Sequence, residues 1–353
     1  MDLDSVIQGD CLEVLARLEA PIADLVFADP PFNIGYKYDL YEDKRKYDEY
    51  HRWTHEWMRL CVEKALKPSG TFWVAIGDDY AAEVKKIGDG LGLHFRTWVI
   101  WHYTFGQNTK KKFARSHTHL LYWTASPDDF TFNDQAIRVF SDRLREYKDV
   151  RANDTGKLPD DVWSEFPRVC GTFKEREGWH PCQMPEPVLA RIIRATSSQG
   201  DVVLDPFAGS GTTLVVAKKL NRHFIGIELS PDYVASMKER LSQARNMGMI
   251  EGVGKGNWPE EHIQELKNLY IEVGVATDEL HKNEQLLFLF ADQLAQRLQA
   301  GGCRDSYGVP EVWQKLESLR KAGKLGRIRI HAREPREERE PLLLTGRRRK
   351  RGD

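Results

Sequence analysis

Asp29-Pro30-Pro31-Phe32 puts a carboxylate, a prolyl carbonyl with no competing N–H beside it, and an aromatic ring into one short stretch. Those parts suit a planar base carrying an exocyclic amino group. Asp29 and the Pro30 carbonyl can accept the two amino hydrogens, and Phe32 can stack on the base. Such an amine is a poor nucleophile, because its lone pair is delocalised into the ring. Accepting both hydrogens favours a pyramidal nitrogen with an available lone pair, which is stabilisation of a transition state by preorganised acceptors. The plainer reading of the stretch is a turn, since Pro-Pro after a strand often marks one.

A second stretch, Asp205-Pro206-Phe207-Ala208-Gly209-Ser210-Gly211-Thr212-Thr213, tips the balance. Glycines between a strand and a helix let the backbone approach a ligand closely. About twenty residues further on stands Glu228, at the spacing of an acid that accepts from ribose hydroxyls. The loop lacks the lysine of a phosphate-binding P-loop, and its glycines are not spaced as in the dinucleotide fingerprint. A nucleoside without a pyrophosphate is therefore favoured over ATP or NAD.

The elements that must position these groups are short apolar runs. Residues 23–28, 202–204 and 224–227 read as buried strands. The first cannot continue past Asp29, because neither proline has an N–H for the ladder and each fixes its own φ. The result is a rigid corner at a strand's carboxyl end, where open α/β sheets hold ligands.

Together these residues resemble the amino-group DNA methyltransferases that use S-adenosyl-L-methionine. The catalytic stretch precedes the glycine loop with a long insert between, which is the permuted order of the beta class. The resemblance covers roughly residues 5–245 and implies a catalytic role for Asp29, Pro30, Pro31 and Phe32. It implies cofactor contacts at Asp29 and at Asp205, Phe207, Gly209, Ser210, Gly211, Thr212, Thr213 and Glu228. Ile7-Gln8-Gly9-Asp10-Cys11 is similar to the segment whose Asp meets the cofactor's adenine amino group, which brings in Asp10 and Cys11. Asp10 is also placed to cap a helix, and the two roles are compatible. Trp179-His180-Pro181-Cys182-Gln183-Met184-Pro185 resembles the His-Pro-x-Gln-x-Pro segment that brackets the cofactor's methionine end, through His180, Pro181 and Gln183. Met184 stands where a lysine is common, so no ion pair is carried over there.

Phe113-x-x-Ser116-His117 is similar to the family's segment lining the flipped-base pocket. Thr118 replaces the glutamate that many relatives carry, so no acid–base role is transferred. Lys110, Lys111, Lys112, Arg115, Ser116 and His117 are the candidate DNA-binding residues: basic side chains interleaved with aromatics in a loop suit a phosphate backbone beside an unstacked base. His117 equally suits a structural histidine.

The rest of the chain follows from composition and pattern. With 353 residues, 41% hydrophobic and 30% charged, it is an ordinary globular sequence with room for two domains. The net charge of −1 does not announce a nucleic-acid binder, so phosphates need a local basic surface. No apolar run approaches a membrane span, and five scattered cysteines fit a reduced, cytoplasmic chain. Cys170, His180 and Cys182 lack the paired spacing of a zinc site, so no metal is expected.

The expected fold is α/β: a Rossmann-like methyltransferase sheet with helices on both faces, an inserted recognition region, and a small α-helical C-terminal domain. The divisions are 1–246 (catalytic), 125–178 within it (recognition, with Arg143, Arg145, Arg168 and Arg176 as candidate readers), 247–256 (linker), 257–330 (helical) and 331–353 (basic tail). Residues 33 to about 50 read as a mobile loop over the substrate, with tyrosines available to DNA. Trp53 and Trp57 read as core. The expected reaction is methylation of adenine at its six-amino nitrogen in flipped, double-stranded DNA. Cytosine at its four-amino nitrogen is the first alternative, and a noncatalytic DNA-binding subunit is the second. The resemblance leaves room for a partner restriction endonuclease or other defence-system subunit and for a homodimer, and none of these is read from the residues.

Overall fold

Alternation along the strands assigns every layer of the structure. In the computed structural model, residues 1–36, 38–41, 43–107, 109–139, 156–169, 176–244, 258–300 and 307–326 are described. The strands in chain order are β1 Ser5–Gln8, β2 Ala23–Ala28, β3 Leu66–Ile76, β4 His94–Gln107, β5 Arg115–Thr124, β6 Val162–Trp163, β7 Val202–Asp205 and β8 His223–Glu228. The helices are α1 Cys11–Ala16, α2 Tyr47–Leu60, α3 Ala81–Gly90, α4 Glu186–Thr196, α5 Thr212–Lys219, α6 Pro231–Gln243, α7 Glu260–Val273, α8 Thr277–Lys282, α9 Glu284–Ala300 and α10 Val309–Lys321.

The described strands form one sheet in the order β1-β8-β7-β2-β3-β5-β4-β6. Neighbours from β1 through β3 are parallel, whereas β5 runs antiparallel to both β3 and β4. Val26, Ala28, Phe72, Val74 and Ile76 point into one core with Trp57 and Met58 of α2 and Val84 of α3. Leu25, Phe27, Trp73 and Ala75 point into the opposite core with Val188 and Ile192 of α4, Leu214 of α5 and Met237 of α6. Side chains alternate across a pleated strand, so both faces are apolar and both are covered by helices, as the near-continuous apolar runs require.

The chain leaves α2 through a π-turn over Cys61–Ala65, and β3 begins at Leu66. The loop that carries Lys110, Lys111 and Lys112 is short, because pairing of Gln107 with Arg115 carries both strands toward its tip. Helix α8 stops before Asn283, whose Oδ1 accepts the Leu286 N–H at 3.0 Å and so caps α9.

Helices α7 to α10 surround their own core of Leu266, Tyr270, Phe290, Leu294, Val312 and Leu316. This cluster meets the sheet layer where α9 lies against α4, with Arg194 and Asp292 paired at 3.1 Å. Arg143, Arg145, residues 247–256 and residues 331–353 lie outside the described residues. Of the recognition region, the described parts give only a short 3-10 turn at Asp134–Ile137, a bridge between Val139 and Lys157, and β6 at the sheet's edge.

Candidate active site

The pairing of β2 with β7 brings the two chemical stretches together. Val26 lies opposite Leu204, so the corner after Ala28 and the loop after β7 leave the sheet side by side at the carboxyl ends of neighbouring strands. A cleft of about 990 Å³ opens there. It is lined by Asp29, Pro30, Pro31 and Phe32 from the corner, and by Asp205, Phe207, Gly209, Ser210, Thr212 and Thr213 from the glycine loop. Of the other expected residues, Glu228, Asp10, Cys11, His180, Gln183, Arg115 and His117 also line it. Pro181 and Gly211 do not line it. Gly211 is packed against α6: with φ at +74°, a Cβ there would come within 2.3 Å of Met237 Cγ.

The acids around the cleft have unequal surroundings. Asp205 Oδ1 accepts the Phe207 N–H at 2.9 Å, and the Thr213 side chain also bonds to this carboxyl. Glu228 accepts Gly209 N–H and Ser230 N–H, each at 2.9 Å. Asp10 accepts the Leu12 N–H at 2.7 Å, so it caps α1 while also lining the cleft. Asp29 keeps a narrow opening to the cleft but is otherwise enclosed by protein. Burial, then the Asp205 charge, push its carboxyl up to about 8, with Arg168 opposing both. Burial likewise pushes Asp205 up to about 7 and raises Glu228.

The glycine loop is braced from outside. Arg240 of α6, buried, donates to the Ser210 carbonyl at 2.9 Å and to Thr212 Oγ1 at 3.0 Å. The same guanidinium pairs with Glu177 at 3.0 Å and Glu186 at 3.2 Å, tying the loop to the segment that carries His180 and Gln183. Gln183 Oε1 in turn accepts the Glu177 N–H at 2.9 Å. His180 presses against Gly209: a Cβ there would stand 2.9 Å from His180 Nε2, so only glycine fits this approach. Burial lowers His180 to about 4, so it is neutral at physiological pH.

The corner has a different support. The stretch from 33 to about 50 is expected as a mobile loop; instead α2 begins at Tyr47, and among the described residues before it Asn33, Ile34 and Tyr36 form a knot around Asp43. That buried carboxylate accepts the backbone N–H groups of Asn33 at 2.6 Å, Ile34 at 3.1 Å and Tyr36 at 3.1 Å. Asn33 sits at φ +58° and donates to Tyr80 Oη at 2.7 Å, while Tyr50 Oη donates to the Pro31 carbonyl at 2.7 Å. A charged residue in this stretch satisfies the backbone, which is why charge alone misread it. Ser230 Oγ donates to Asp39 at 2.6 Å and joins the knot to the end of β8. Tyr38, Asp39, Arg45 and Trp53 all line the cleft, although sequence reasoning singled out none of them for the site. Trp53 is core, as expected, and also a cleft wall.

The candidate DNA-binding residues separate into two groups. Lys110, Lys111 and Lys112 are exposed at the tip of the β4–β5 hairpin and do not line the cleft. Arg115 lies on its rim, held by Asp78 at 2.6 Å and Asp79 at 2.8 Å. Ser116 is half-buried beside it, and His117 lines the cleft with its ring 4.8 Å from that of His119. Phe113, expected at the base pocket, instead stands in solvent with 99% of its surface exposed. Among the described residues no three His, Cys, Asp or Glu side chains form a metal-binding group, and Cys170 lies outside them.

The donor set fits S-adenosylmethionine, which carries a sulfonium and an ammonium against one carboxylate. Asp10, Asp39 and Glu228 place carboxyl groups around the cleft beside the proton-holding Asp29 and Asp205, and the glycine loop carries no Lys or Arg for a phosphate. Asp10 and Glu228 retain acceptor capacity for an amino group and a ribose hydroxyl.

Comparisons with known proteins bear on the family and the fold. Over 242 residues the chain is 38% identical to the Type II methyltransferase M.HpaI of Haemophilus parainfluenzae, covering 68% of this chain and 75% of that one. The PvuII DNA methyltransferase (cytosine-N4-specific) shares the fold with a TM-score of 0.53 at 20% identity, over 75% of this chain and 91% of that one. A Thermus thermophilus protein assigned as a DNA modification methylase, solved with S-adenosyl-L-methionine, gives 0.50 at 24% identity, over 68% and 93%. At these identities the two structures speak for the fold alone. The N6/N4 DNA methylase profile matches residues 23–239, well over half of the chain, and the protein belongs to that DNA methylase family.

Proposed function

We propose that this chain moves the sulfonium methyl of S-adenosyl-L-methionine to the six-amino nitrogen of an adenine flipped out of double-stranded DNA. The observation that carries the reading is Asp29, a poorly solvated acceptor lining the cleft, next to the acid-lined glycine loop. S-adenosylmethionine supplies an activated methyl on a good leaving group; everything else falls to the chain's own residues. Asp29 and the Pro30 carbonyl accept the amine's two hydrogens, and Phe32 holds the base by its face. A carboxyl pushed up to about 8 also has the affinity to take the proton that the methylated nitrogen sheds. Asp10, Asp205, Glu228, the Gly209–Thr213 loop and the His180–Gln183 segment hold the cofactor, and the buried walls keep water from the methyl.

Adenine is preferred because members with Asp at the first motif position resemble adenine enzymes, whereas many cytosine enzymes carry Ser. Residues 1–246 form the catalytic unit, with recognition carried by 125–178, and 257–330 form a helical unit. The likeness to a Type II methyltransferase supports a cytoplasmic role of protecting a DNA site from a partner restriction endonuclease. Asp29→Ala is expected to lower methyl transfer by about 1,000-fold or more while cofactor affinity changes little. Near-normal turnover in that variant would remove the assignment. Nuclease digestion of DNA methylated by the protein, followed by identification of the modified nucleoside, decides the base: N4-methylcytosine would replace adenine by the alternative.

A further inference from the structure

Phe113 is the most exposed large apolar side chain in the described structure, at 99% of its possible surface. A lone exposed apolar residue is ordinary; its surroundings here are not. Lys110, Lys111 and Lys112 precede it directly, all exposed, so the ring projects from a cationic tip toward which a phosphate backbone is drawn. The tip is closed by a hydrogen bond from Thr109 Oγ1 to the Lys112 carbonyl. Its base is fixed to the cleft: Arg115 stands two residues after Phe113, lines the rim, and is clamped by Asp78 and Asp79. At roughly 3.3 Å per residue, the ring stands within about 7 Å of backbone from the rim.

We propose that Phe113 is a wedge that enters the DNA stack where the target base has left it. The inference rests on the proposed reading that a base is flipped into the cleft at Asp29. Extrusion breaks stacking on both faces of the departing base. An aromatic ring beside the mouth that receives the base refills the gap, and the three lysines hold the flanking phosphates while it does so. Solvent exposure in the DNA-free protein is what a wedge requires, since any intramolecular packing would have to be broken before insertion. The ring therefore acts on the flipping equilibrium and touches neither the amine nor the cofactor.

The test uses the full chain and a duplex carrying 2-aminopurine at the position the protein modifies, whose fluorescence rises when the base is unstacked. Phe113→Ala, Phe113→Trp and Asp29→Ala are compared with the parent. Because the side chain is exposed, Phe113→Ala is expected to match the parent in thermal midpoint and in KM for S-adenosylmethionine. It should lose most of the fluorescence rise, with kcat lower by about 10- to 100-fold, the range expected for one lost stacking contact. Phe113→Trp should restore both within about threefold, and Asp29→Ala should keep the fluorescence rise while losing transfer. An undiminished rise and kcat in Phe113→Ala would overturn the wedge and leave the flipping reading standing. Absence of any rise with the parent would overturn flipping and the wedge together.

Discussion

The catalytic corner and the glycine loop leave neighbouring strands side by side, yet the chain makes them rigid by opposite means. The corner carries stiffness in its covalent structure: two prolines fix φ, and Asp43 and Tyr50 only finish the job from behind. The glycine loop has one proline, Pro206, at its start, and beyond it no such stiffness, because Gly209 and Gly211 were needed for close approach and for φ of +50° and +74°. Its shape is imposed from outside by Arg240, Glu228 and the His180 ring. The two acids differ in the same way. Asp205 is occupied by donors of its own loop, whereas burial and charge, with no hydrogen bond among the causes of its shift, set the state of Asp29. A loop meant to enfold a cofactor has satisfied its own polar groups; a corner meant to grip a substrate amine has kept its acceptor open.

That contrast can be broken by substitution. Beside the loss of transfer expected for Asp29→Ala, Asp205→Asn should act chiefly on the cofactor, raising its KM by about 10- to 100-fold with a smaller change in kcat. Steady-state kinetics with S-adenosylmethionine as the varied substrate would show it. Equal effects of the two substitutions on kcat would erase the division of labour. Next in size, Arg240→Met should cost about 3 kcal/mol in urea denaturation, since a buried guanidinium leaves Glu177 without its partner and Glu186 with Lys219 alone. The corner has no buried guanidinium of this kind behind it, so Tyr50→Phe, which removes the bond to the Pro31 carbonyl, is expected to cost about 1 kcal/mol.

The pH dependence sharpens the same difference. The folded protein binds the Asp29 proton more tightly than the unfolded chain does, with midpoints at about 8 and about 4. The stability this contributes is complete below the lower value and is lost as pH rises through the higher one. The thermal midpoint of the cofactor-free protein should therefore fall between about pH 4 and about pH 8, and Asp29→Asn should flatten the fall. Over the same interval kcat/KM should climb with a midpoint near 8, because the carboxylate is a better acceptor than the acid for the amine hydrogen that Asp29 takes while the Pro30 carbonyl takes the other. The smallest effect is expected at the hairpin: replacing Lys110, Lys111 and Lys112 by Ala should weaken DNA binding modestly. It should also reduce the salt slope by about one for each lysine that meets a phosphate.

The residues themselves revealed one half of this design. A strand ending in Asp-Pro-Pro must turn, and a glycine run between an apolar strand and a helix must approach something, so both motifs announced their local geometry. The two-faced apolar character of residues 23–28 and 202–204 likewise required a sheet covered on both sides. The Asn33–Arg45 stretch was the counterexample. Asp43 reads as a solvated charge until Asn33, Ile34 and Tyr36 are folded round it, because its value lies in satisfying backbone donors that composition does not display. Phe113 erred the other way, its motif pointing into a pocket while its ring stands in water.

What the sequence alone determined was therefore the chemistry of each part: which loop is stiff, which is open, which groups accept and which stack. The tertiary structure alone decided that the parts share one cleft. Pairing of β2 with β7, strands far apart in the chain, sets Asp29 beside Asp205. Arg240 reaches the glycine loop across 30 residues of chain and Glu177 across a longer stretch, both much shorter than the β2–β7 separation. Periodicity and turn chemistry act over a few residues, whereas strand neighbours and buried ion pairs are chosen by how the whole core packs.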